Sequence, residues 1–199
     1  MALLHRRSHT ETLRAAIFLL LLPFLAACAS TSSAAPHEFL DETNGSTLLI
    51  VQDPIVFART RTDVAANARD YATLVTVLED RSGKYQLWLI AHRWSTVDPR
   101  FGGRLPDQQA QLQLLADDRS LSLQPTVPAP TLLAHRGELF TPRGAQTSAY
   151  AVDGDLLRSI ASARLLSLQF RDDPSTSTYN LWRDQRGALQ ALLKQVSAH

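Results

Sequence analysis

The chain has 199 residues, of which 45% are hydrophobic and 20% charged, and a formal net charge of +1. These are ordinary globular values, and the near-neutral balance leaves no basic stripe of the kind nucleic-acid binding needs. A single cysteine excludes an internal disulfide, so any fold must rest on its core.

The first segment carries Arg6, Arg7 and Arg14, then the apolar run 15–24 (AAIFLLLLPF), then Leu25-Ala26-Ala27-Cys28. The apolar stretch is too short for a transmembrane helix, which needs about 20 residues. A charged start, a short apolar centre and small residues before a cleavage point form the pattern of a secretion signal. The tetrapeptide LAAC resembles the lipobox of bacterial lipoproteins. That resemblance covers residues 1–28 only. It implies removal of residues 1–27, thioether lipidation of Cys28 and acylation of its new amine. With Ala29 and not aspartate after the cysteine, it also implies passage to the outer membrane, with the periplasmic face favoured. One acyl chain binds a membrane only marginally, whereas two or three make release negligible.

Residues 29–36 (ASTSSAAP) are small, polar and end in proline, the composition of a flexible tether. We assign residues 28–45 to the lipidated cysteine and tether and residues 46–199 to one globular β-rich domain. A tether of ten to fifteen residues reaches roughly 15–25 Å, which keeps the domain close to the bilayer.

Residues 47–51 and 55–58 read as strands around the turn signal Asp53-Pro54. Residues 61–70 lack a clear period and are expected to form a loop or short helix. The plainest hairpin pairs 71–79 with 84–94 across Asp80-Arg81-Ser82-Gly83, with a type I turn and bulge expected. A second hairpin is expected at 109–115 and 120–124, turning at Asp117-Asp118, with leucines alternating against glutamines and serines. Residues 147–152 predict a strand, and Asp153 an N-cap for a helix over 154–163. Leu166, Leu168 and Phe170 alternate in a further strand, Asp172-Asp173-Pro174-Ser175 is turn chemistry, and 178–182 is the return. Asp184 is expected to cap a final helix over 185–197, with Leu189, Leu192, Leu193 and Val196 on one face. The fold class is therefore α+β: a mainly antiparallel sheet, curled or sandwich-like, with two late helices.

Chemistry-bearing motifs are sparse. The six histidines show no HxH or HExxH spacing. GxSxG, GxGxxG and the P-loop pattern are missing, and the only thiol is committed to lipid. The pairs Asp117-Asp118 and Asp172-Asp173 suit turns better than acid/base work, because chain neighbours point apart. No cofactor or metal is expected. One stripe stands out on residues 84–94, where Trp88, His92 and Trp94 share a face with Gln86 and Ile90. These three offer stacking and polar tips for a ligand groove, or else they form a half-buried core face. The expectation is a non-catalytic binding or assembly component of the envelope, held to the membrane through Cys28 and meeting an envelope protein partner by strand addition. The alternative is an envelope hydrolase acting on a wall polymer or lipid, with a site formed only on folding.

Overall fold

The structure is a computed structural model, and it describes residues 35–42, 45–97, 110–126, 139, 141–142, 144–171 and 178–197. All of them fall in one compact unit. Its strands in chain order are β1 (His37–Asp41), β2 (Ser46–Ile50), β3 (Ile55–Thr60), β4 (Arg69–Arg81), β5 (Lys84–Ser95), β6 (Leu112–Ala116), β7 (Arg119–Leu123), β8 (Gln146–Val152), β9 (Leu166–Phe170) and β10 (Thr178–Arg183). Among the described residues two helices complete it, α1 (Gly154–Ser162) and α2 (Arg186–Val196). Every strand pairing is antiparallel, and the sheet curls into a half-barrel, an α+β fold. Among the described residues, no helix is long and apolar enough to cross a membrane.

The centre of the design is β4, whose 13 residues are long enough to hold two partners on one edge. Its first half, Arg69 to Leu74, pairs with β3, and its second half, Val77 to Arg81, pairs with β2. Residues 51–54 sit at the changeover, where Val51 N–H donates to Thr76 O at 3.0 Å. Proline at 54 has no N–H to continue the ladder. The sheet divides there. One arm runs through β2 to β1, and the other through β3, β10, β9 and β6 to β7. On its other edge β4 pairs with β5, and β5 with β8.

The concave face holds the main core. Ile55, Phe57, Ala72, Leu74, Leu89, Ala91, Leu112, Leu114, Leu168 and Tyr150 meet Leu157 and Ile160 of α1 and Leu189 and Leu193 of α2. Asp153 caps α1 as the sequence requires, accepting from Leu156 N–H at 2.8 Å. The far side of the curl is tied by two bonds. Tyr150 Oη donates to Ala110 O at 2.6 Å, and Thr126 N–H donates to Ala149 O at 2.8 Å.

Three local expectations are corrected. The first strand, β1, starts at His37, inside the segment 28–45 read as lipidated cysteine and tether. Only Phe39 and Asp41 of β1 point inward, too few for alternation to show. The β4–β5 turn is two residues, not a type I turn with a bulge. Arg81 pairs with Lys84, and Ser82 and Gly83 take φ of 53° and 80°, the signature of a type I′ turn. Finally, the residue capping α2 is Gln185, whose side chain makes no cap bond; Asp184 stands one place earlier and accepts from Arg186 N–H at 3.1 Å. Residues 61–68 are turns, and the 172–175 turn lies outside the described residues.

Candidate functional site

The β4–β5 register decides the fate of the β5 stripe. Trp88 stands opposite Val77, His92 opposite Thr73 and Trp94 opposite Tyr71. Their common face is the convex one. At its middle lies a second core of Leu48, Ile50, Val75, Val77, Trp88, Ile90, Leu139 and Ala149. Trp88 is 8% exposed and His92 1%. The Trp88 indole donates to Glu79 Oε2 at 3.0 Å, and the other Glu79 oxygen accepts from Arg81 at 3.0 Å. His92 Nδ1 lies 3.0 Å from Thr147 Oγ1 on β8. These two side chains are parts of the packing, each with its polar atom engaged.

Trp94 is different. It is half-buried and stacks on Tyr71, with ring centroids 5.4 Å apart and planes 19° from parallel. On the same face, the β3 residue beside Tyr71 is Ala58, and beyond it stands Asn180 of β10. The β10 ladder slips between Leu181 and Arg183, so Trp182 sits in an irregularity of the strand. Arg69 lays its guanidinium over the Trp182 ring, 4.4 Å from the centroid. Trp182 is 55% exposed. Val64, in the turns before β4, and Val97, just after β5, are 52% and 40% exposed. One end of the sheet thus gathers two of the chain's three tryptophans, a tyrosine, two valines and an arginine.

Behind that patch, on the concave side, lies an ionic cluster. Asp70 is fully buried and its Oδ2 accepts from Arg59 Nε at 2.7 Å and Arg61 Nη1 at 3.1 Å. Arg61 also binds Asp63 at 2.9 Å. Hydrogen bonds donated to Asp63, then Asp70, hold the Arg61 guanidinium protonated more firmly than usual. The Arg61 bond in turn keeps the Asp63 carboxyl below its ordinary range. Arg59 lies over the Tyr179 ring at 5.0 Å, and Arg93 over Phe170 at 4.5 Å. Those two rings meet edge to face, with centroids 5.6 Å apart. Arg93 also binds Gln146 on β8. The cluster pins the 61–68 turns and the end of β3 to β4. It gives the patch a rigid floor, since every long side chain beneath it is held by a partner of fixed geometry.

Two further polar groups are structural in their geometry. The Asp117 carboxylate accepts from the Arg164 and Leu165 N–H groups at 2.9 and 2.8 Å, which holds the residue at its left-handed φ of 51°. Arg186 donates to Ala163 O at the end of α1 and to Asp184, so the open cleft of about 500 Å³ between the helix ends is laced by its own side chains. The hydrogen bond to Arg186 lowers the Asp184 pKa. Among the described residues no three His, Cys, Asp or Glu side chains are grouped to hold a metal ion.

Sequence reasoning named Trp94 but missed its neighbours. Tyr71 opens the predicted hairpin and Arg69 lies in the segment expected to be a loop or short helix, while Trp182 and Arg59 come to them only through the β4–β3–β10 order. Cys28 lies outside the described residues. No family model, no curated protein and no solved structure matches the chain.

Proposed function

We propose that the protein is an envelope lipoprotein, anchored through lipid on Cys28 at the periplasmic face of the outer membrane, and that its domain is a non-catalytic binding or assembly component. The observation that carries this reading is the order of residues 1–28: basic start, short apolar run, and LAAC. β1 starts at His37, nine residues after Cys28, and the sequence between them is small and polar, as a membrane-tethered domain requires. The exposed aromatic end of the sheet supports binding over catalysis. It offers stacking surface and a guanidinium, the groups that hold a ligand by contact.

The test is a mass spectrum of the mature protein taken from the membrane fraction. The expected species begins at Cys28 and carries diacylglyceryl and acyl mass. An intact, unmodified Cys28 overturns the anchoring reading. Crosslinked pull-down of the lipidated protein then addresses assembly, and recovery of no envelope protein counts against it.

A further inference from the structure

We infer that the aromatic end of the sheet, formed by Trp182, Arg69, Tyr71 and Trp94 with Val64 and Val97, is the face that lies on the bilayer, seated in the headgroup layer. The inference rests on the anchoring reading above and adds to it which surface meets the membrane.

The first support is chemical. Tryptophan and tyrosine prefer the boundary between water and hydrocarbon, because each joins an apolar ring to a polar tip. Arginine can bury its stem there and keep its charge among phosphates. The patch has this composition, and its charge favours anionic headgroups. Arg69 and Arg183 stand at the surface, while Asp70 is buried and Asp63 is paired with Arg61. Valines exposed by 52% and 40% would complete a shallow apolar rim.

The second support is directional. Both β1 and β4 are antiparallel to β2, so β1 and β4 run the same way. Through β2, His37 is level with Val77 and Asp41 with Arg81. The N-terminal end of β1, where the chain enters the sheet, therefore faces the Arg69 end of β4.

The experiment uses the lipidated protein in vesicles of phosphatidylethanolamine and phosphatidylglycerol whose acyl chains are brominated, read by tryptophan fluorescence. A mass spectrum of the same preparation records the lipid on Cys28. Bromine should quench the wild-type protein. Trp182→Phe should reduce that quenching about two-fold, and the Trp182→Phe/Trp94→Phe pair should abolish it, leaving buried Trp88 as a bright, unquenched reporter. Tyr85→Ala, at the far end, should change nothing. Circular dichroism confirms that each variant is folded, and Trp182 is exposed enough for its loss to be tolerated. With lipid present, an unquenched protein overturns the inference and leaves the anchoring reading standing. So does quenching of the same two tryptophans by soluble wall glycan but not by lipid. An unmodified Cys28 removes the anchoring reading and this inference with it.

Discussion

The two ends of the β4–β5 hairpin are built by opposite means. At the closed end, five consecutive residues do everything. Arg81 and Lys84 pair, Ser82 and Gly83 turn, and the Asp80 carboxylate accepts from Gly83 N–H at 2.8 Å. At the open end, nothing is settled by chain neighbours. Asp70 needs Arg59 and Arg61 from β3 and the loop after it, and Arg69 reaches across to Trp182 on β10. The closed end is a device for reversing the chain. The open end is where distant segments meet, and it is the end with apolar and charged groups left at the surface. Local sequence sets the first, and topology sets the second.

Substitutions can break that contrast in order of size. Asp70→Ala removes the buried carboxylate shared by two arginines. It should cost about 3–5 kcal/mol in urea unfolding, the range for breaking a buried ion pair by deleting one partner. A loss under about 1 kcal/mol would mean that the open end does not depend on the cluster. Glu79→Ala, nearer the closed end, leaves the buried Trp88 N–H without its acceptor and should cost about 1.5–3 kcal/mol. Gly83→Ala should cost about 1 kcal/mol, and that entirely as backbone strain, because a Cβ there meets nothing within 4 Å. If Gly83→Ala costs as much as Asp70→Ala, the distinction between the ends fails.

The smallest effect lies away from the hairpin, at Asp184. Its pKa is depressed below 3.8, chiefly by the Arg186 hydrogen bond. A depressed carboxyl stabilises the fold fully above its unfolded value and loses that contribution as pH falls through the folded one. Wild type and Asp184→Asn should therefore differ slightly at neutral pH and converge below the ordinary carboxylate range. A gap that persists in strong acid would assign the effect to packing.

Much of the fold was legible because it is local. The Ser82-Gly83 reversal, the Asp153 cap and the leucine stripe of α2 are each written within a few residues. Burial was harder to read. Residues 72–77 of β4 are buried on both faces, whereas alternation presumes one wet face. For that reason Trp88 and His92, read from sequence with Trp94 as a core face or a groove, could not be separated from it. The arrangement at the aromatic end was illegible for a different reason. Its members come from β3, β4, β5 and β10, and no spacing in the chain encodes their meeting. A weak signal did exist in Asp70, an acid one place before a run of β-branched and aromatic residues, since a carboxylate entering a buried strand needs cationic partners.

The pairing of β3 with β10 also sets a timetable. Ala58 and Asn180 are sheet neighbours, yet they are made in the first and last thirds of synthesis. Until the final strand is available, β3 has a partner on only one edge and the concave core lacks β9, β10 and α2. Pairings of such long sequence separation form slowly, because loop-closure entropy must be met before any contact rewards it. A chain that cannot finish its sheet before its last residues are in place stays unfolded while it is being made. Under the lipoprotein reading proposed above, that delay keeps the chain threadable until it reaches the far side of the membrane.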